Sequence, residues 1–127
     1  MAIIREITID GREVPFKASA AVPRVYRAKF GRDIFKDMQL LVNNINAKKA
    51  QTKAAEGEEA DEGLNVFDLD VNCLEMFENI AYTMAKHADP TVPNTADEWL
   101  DGFDTFSIYM ILPEIIALWG LNVQTDV

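Results

Sequence analysis

The side chains best suited to nucleophilic chemistry are a single cysteine, Cys73, and a single histidine, His87. A thiolate beside an imidazole is a standard covalent-catalysis pair. The two fall on one predicted helix, fourteen residues or roughly 21 Å apart at about 1.5 Å rise per residue, so they cannot form a dyad within that chain. Cys73 is flanked by apolar and acidic residues, which do not lower a thiol pKa. Both therefore read as structural. Asp97, Glu98, Asp101 and Asp104 gather around Trp99 and Phe103, and paired carboxylates can do acid–base work. Helix starts recruit the same residue types, and capping accounts for most of this cluster.

One cysteine and one histidine do not make a tetrahedral metal site, and the acidic stretch Glu56 to Glu62 lacks the alternating oxygen ligands of a calcium loop. No glycine-rich phosphate loop is present; Gly31 and Gly120 are isolated and read as helix stops. Arg24, Arg27, Lys29, Arg32 and Lys36 have the chemistry to touch phosphates, but a chain at −9 overall is a poor nucleic-acid binder. These observations predict no enzyme, no metal and no cofactor.

The elements that position these residues follow from 127 residues with 49% hydrophobic and 9% aromatic content, enough for one domain with a real core. The longest apolar run, Ile108 to Pro113, is far short of a membrane span. The first residues show no basic region followed by an apolar stretch, so no signal peptide is expected. One cysteine excludes an internal disulfide and fits a reducing cytoplasm. The charge is divided unevenly. Residues 1–53 hold 11 basic and 5 acidic side chains, a balance of +6, and residues 54–127 hold Lys86 against 16 acidic ones, a balance of −15. Such polarity is expected either of opposite solvated faces in one fold or of self-association and a polyionic partner.

Alternation over Ile3 to Asp10, the Asp10-Gly11 turn signal and a return over Val14 to Lys17 predict a hairpin, with Pro15 confining the second strand to an edge. After Ser19, a good N-cap, the set Val22, Val25, Tyr26 and Phe30 has helical spacing that Gly31 ends. Asp33 caps a second helix with Ile34, Met38, Leu41, Val42 and Ile45 in one stripe, fading near Lys48. Residues 49–66, rich in Ala, Glu and Lys, read as a flexible linker or frayed helical extension. Asp70 then caps a helix to Ala88, and Thr95 with Glu98 makes a capping box for a short helix ending at Gly102. From Asp104 to Gly120 nearly every residue is apolar, which predicts one central buried helix kinked at Pro113. The expected fold is α+β, predominantly α-helical: an N-terminal β-hairpin and about five helices in a single domain. A basic half over 1–48 is joined to an acidic half over 67–127.

Two blocks carry a resemblance. One is Phe16-Lys17-Ala18 with Val22-Pro23-Arg24-Val25-Tyr26-Arg27-Ala28-Lys29-Phe30-Gly31-Arg32-Asp33-Ile34-Phe35-Lys36-Asp37. The other is Ile80-Ala81-Tyr82-Thr83-Met84-Ala85-Lys86-His87-Ala88-Asp89-Pro90, then Glu98-Trp99-Leu100-Asp101-Gly102-Phe103 and Leu118-Trp119-Gly120-Leu121-Asn122. Together they resemble the tail assembly chaperones of long-tailed bacteriophages and prophages of Gram-positive hosts. The resemblance implies action in the host cytoplasm and absence from the mature virion. It implies binding to the tape measure protein, which is kept soluble while the tail tube polymerises around it. It also implies contact with the tail tube protein through a frameshifted longer form. The charge split and the adaptable methionines Met38, Met76, Met84 and Met110 fit a homo-oligomeric, non-catalytic binder with neither nucleic acid nor membrane as partner. The aromatic residues Tyr26, Phe30, Phe35, Trp99, Phe103, Tyr109 and Trp119 are the candidate partner-binding set. The alternative is a small acidic phage adaptor or minor virion component that docks through its C-terminal apolar helix.

Overall fold

The computed structural model describes residues 3–56 and 69–124. The chain opens with an antiparallel hairpin of β1 (Ile3–Ile9) and β2 (Arg12–Ala18), in register from Ile3 opposite Ala18 to Ile9 opposite Arg12. Asp10 and Gly11 form the two-residue turn with φ of 55° and 78°. Positive φ at both central positions gives the turn whose twist matches that of the strands, and aspartate tolerates it better than most side chains. Period-two alternation sends Ile7, Ile9, Phe16 and Ala18 into the core.

Six helices follow: α1 (Val22–Phe30), α2 (Ile34–Glu56), α3 (Val71–Ala88), α4 (Ala96–Asp101), α5 (Ser107–Met110) and α6 (Leu112–Gln124). The mainly helical α+β class thus holds, with one helix more than the pattern suggested. Gly31 closes α1 in the left-handed region at φ 70°, its N–H bonded to the Arg27 carbonyl at 2.8 Å. Asp33 Oδ1 accepts the Phe35 N–H at 2.9 Å and starts α2, whose Ile34, Met38, Leu41 and Ile45 are buried as their stripe requires. Thr95 caps α4 by accepting the Glu98 N–H at 3.1 Å.

Several expectations change. The helix of α2 continues through residues 49–56, so that part of the expected linker is helical extension; the remainder, 57–66, lies outside the described residues. Ser19 does not cap α1 directly, since Ala21 holds that position and Ser19 Oγ accepts the Ala21 N–H at 3.2 Å. Asp70 stands at the N-cap of α3 without a capping bond. It turns to α2 instead: Asn44 Nδ2 donates to its carboxylate at 3.1 Å, and Asn44 Oδ1 accepts its N–H at 3.0 Å.

The segment from Asp104 to Gly120 is not one kinked helix. It breaks at Ile111 into α5 and α6, which places Pro113 second in α6, where a missing N–H costs nothing. Gly120 lies inside α6 and does not end it. Nor is this segment the central helix. That position belongs to α3, which packs against β2, α1, α2 and α4. Small residues on several faces of α3, Ala81, Thr83 and Ala85 among them, let neighbours approach from all sides, and Thr83 satisfies its buried hydroxyl by donating to the Asn79 carbonyl at 2.7 Å. The α6 helix lays one face, Leu112, Ile115 and Leu118, against the hairpin and leaves Pro113, Glu114 and Ala117 outside.

Candidate functional site

The candidate aromatic residues separate into groups with different surroundings. Tyr26, Phe30, Tyr82, Trp99 and Phe103 form a continuous string, with successive ring centroids 5.2, 6.5, 5.8 and 5.2 Å apart. Phe16 of β2 meets Trp99 edge-on at 6.4 Å. Tyr26 and Trp99 are buried, Phe30 and Phe103 half-buried, so this string is chiefly core that fastens α1, α3 and α4 to the hairpin. Lys29 lies over the Tyr82 ring at 5.5 Å, and Arg12 lies over Phe103 at 5.0 Å. Phe35 and Trp119 pair separately at 5.4 Å, joining the start of α2 to α6. Tyr109 contacts Phe77 at 6.2 Å and donates its hydroxyl to Glu78 at 2.6 Å; burial and then that carboxylate push its pKa up to about 12. Of the seven candidates only Phe35 is strongly exposed, at 55%.

Two strongly exposed apolar side chains are ones the sequence pattern placed inside. Phe106 is 73% exposed and Met110, one turn further along α5, is 57% exposed. The signal was Pro113: reading it as a helix start, and not as a kink, splits the apolar run and turns Phe106 and Met110 outward. Beside them an open cleft of about 540 Å³ lies between α4 and α5. Asp97, Asp101 and Asp104 line it together with Phe103, Phe106 and Tyr109.

The rim of this cleft is tied to the hairpin turn. The Asp10 carboxylate accepts the Asp104 N–H at 2.8 Å and the Thr105 N–H at 3.4 Å, and it also accepts the Thr105 hydroxyl. These donors, the hydroxyl first, hold the Asp10 carboxyl below its ordinary range. Arg12 donates to the Gly102 carbonyl at 3.0 Å. Residues at opposite ends of the sequence therefore fix the loop between α4 and α5, a connection invisible to local pattern.

The basic residues divide. Arg32 grips Asp37 with two bonds of 2.7 Å, and Tyr26 donates to the same carboxylate at 2.7 Å. Burial alone would raise the Asp37 pKa, but the guanidinium and the phenol outweigh it and hold the carboxyl below its ordinary value. Lys29 reaches the Asn94 carbonyl. All five lie on the surface, and Arg32 and Lys29 are held there by partners within the fold.

Cys73 is buried, and burial pushes its thiol pKa up, away from the reactive thiolate. His87 has a partner that the sequence reading missed: Ser19 Oγ lies 2.8 Å from its Nε2, across 68 residues of chain. A hydroxyl beside an imidazole has the composition of a nucleophile and base, but that chemistry needs a third group to orient the ring. Among the described residues no carboxylate hydrogen-bonds His87, and burial, then Lys17, lowers its pKa and favours the neutral ring. The pair ties the end of α3 to the start of α1. Among the described residues, no three His, Cys, Asp or Glu side chains are grouped to hold a metal, and no helix is long and apolar enough to cross a membrane. No protein-family model matches the chain, and neither a curated protein nor a solved structure matches it.

Proposed function

We propose that the chain is a phage tail assembly chaperone that binds the tape measure protein, keeps it soluble and supports tail tube polymerisation in the host cytoplasm. The observation that carries the reading is the exposed apolar pair Phe106, at the N-cap of α5, and Met110, beside an acid-rimmed cleft. A holdase shields apolar helical segments of its client and later releases them, so it needs accessible, adaptable apolar contact. Helix-in-groove binding supplies that contact without a chemical step. The residue resemblance over α1, the start of α2, α3 and α4 points the same way. The adaptor alternative docks through the same C-terminal apolar segment, of which Phe106 and Met110 are exposed while Leu112, Ile115 and Leu118 are buried. Detection of the chain in purified virions would favour it over the chaperone reading.

Co-expression with the tape measure protein tests the proposal. The client is expected in the soluble fraction only when this chain is present, and to co-purify with it. A client equally soluble alone overturns the reading.

A further inference from the structure

The α4–α5 cleft differs from the rest of the surface in combining three features. Its floor is aromatic, with Phe103 and Tyr109 half-buried and Phe106 exposed. Its rim is anionic: Asp97 and Asp101 stand one helical turn apart on α4, and Asp104 follows on the loop. No lysine or arginine occurs after Lys86 in the sequence, and among the described residues no ion pair joins any of the three aspartates. Arg12 is the cation beside the cleft, and it is engaged by the Gly102 carbonyl and the Phe103 ring.

The third feature is preorganisation. The Asp10 carboxylate holds the backbone of Asp104 and Thr105, and the Tyr109 hydroxyl is held by Glu78. A site already fixed before binding loses less side-chain and loop freedom when it is filled. Its volume of about 540 Å³ lies within the range of sites that enclose small ligands or a few side chains.

We propose that this cleft docks an amphipathic helical segment of a partner protein in which a large apolar side chain is flanked by Lys or Arg. The proposal rests on the client-binding reading above and names the surface and the client chemistry. The apolar side chain enters against Phe103 and Phe106, while the flanking cations meet Asp97, Asp101 and Asp104. Charge complementarity selects this occupant: a nucleic acid or acidic helix meets like charge at the rim. A second copy is the competing occupant. Its α1 cations Arg24 and Arg27 flank only Val25, 39% exposed. On α2, by contrast, Phe35 packs on Trp119 but stays 55% exposed, and Leu40, 49% exposed, follows Lys36 by one turn. Self-association is therefore the outcome that the test separates.

The test uses the full chain and two synthetic helical peptides of equal length, one of leucine and lysine and one of leucine and glutamate, with affinity measured by anisotropy at low salt. Asp97→Asn/Asp101→Asn/Asp104→Asn retains side-chain size, and Phe106→Ala alters a side chain outside the core, so circular dichroism is expected to match wild type for both. The expected result is binding of the lysine peptide alone, weakened about tenfold by the triple substitution and severalfold by Phe106→Ala. Equal binding of both peptides, or an unchanged affinity in the triple variant, overturns the proposal. So does a triple variant that changes only self-association by light scattering, which assigns the cleft to a second copy. A client kept soluble equally by wild type and triple variant overturns the cleft but leaves the chaperone reading standing. A client indifferent to wild type, with the lysine peptide still bound at the aspartates, overturns the chaperone reading and leaves the cleft.

Discussion

Replacing Tyr26 by phenylalanine removes one hydroxyl from the centre of the basic half and nothing else. That hydroxyl is fully buried and donates to Asp37 Oδ2 at 2.7 Å. A hydrogen bond to a charged acceptor contributes about 1.5–3 kcal/mol net. Asp37 keeps both Arg32 bonds in the variant, so no buried carboxylate is orphaned, and the lower end, about 1.5 kcal/mol, is expected. Asp37→Ala is worse because it strands the phenol without an acceptor. The lost bond and the stranded donor together cost about 3 kcal/mol. The Arg32 contribution is discounted as near-surface, since its side chain is 50% exposed. For a chain of this length each kcal/mol lowers Tm by roughly 3–5 °C. Tyr26→Phe should therefore melt about 5–8 °C below wild type, and Asp37→Ala about 9–15 °C below, by circular dichroism.

The double variant carries the sharper expectation. With the hydroxyl gone nothing is stranded, so the double variant should lose only the bond, about 1.5 kcal/mol, less than Asp37→Ala alone, a coupling of about 3 kcal/mol. Denaturant titrations of all four proteins measure it. Additive losses, or a Tyr26→Phe loss below about 0.5 kcal/mol, would refute the reasoning. The pH dependence has a fixed sign. The Asp37 pKa is lowered in the fold, so its stabilisation is present above the unfolded carboxyl value of about 3.9 and is lost as pH falls through the folded value. The gap between wild type and Asp37→Ala should shrink below about pH 4.

Three further outcomes are expected. His87 is held neutral in the fold while the unfolded ring titrates near 6.5, so stability should fall as pH drops through about 6.5, and His87→Gln should flatten that slope in pH-dependent melts. Gly31→Ala should cost about 1 kcal/mol in denaturant titration from backbone strain at φ 70° alone, since no atom crowds the position. Pro113→Ala should change stability by under about 0.5 kcal/mol, because the residue sits in a first turn; a gain near 3 kcal/mol would mean that the proline interrupts a continuous helix.

Local chemistry made the hairpin, the Gly31 stop, the α2 stripe and the Thr95 cap legible, because each depends on neighbours within about one helical turn. Contacts between distant segments were not legible. Asp10 holding Thr105 and Ser19 meeting His87 depend on the tertiary fold, and Asp37 gave no sequence sign that it would be buried beneath Arg32 and Tyr26. The helix roles were reversed for a related reason. Counting large apolar residues favoured the C-terminal segment as the centre, whereas α3 holds that place because the hairpin, α1, α2 and α4 all pack on it, burying Met76, Phe77 and the run from Ile80 to Ala85. The same misreading placed Phe106 and Met110 inside, so the cleft became visible only with the fold.

Dilution of denatured tape measure protein into buffer, followed by light scattering, measures client protection most directly. Wild-type chain should suppress aggregation in proportion to its concentration, and the Asp97→Asn/Asp101→Asn/Asp104→Asn variant should suppress it less. Scattering that is unchanged by wild-type chain at every ratio contradicts the account.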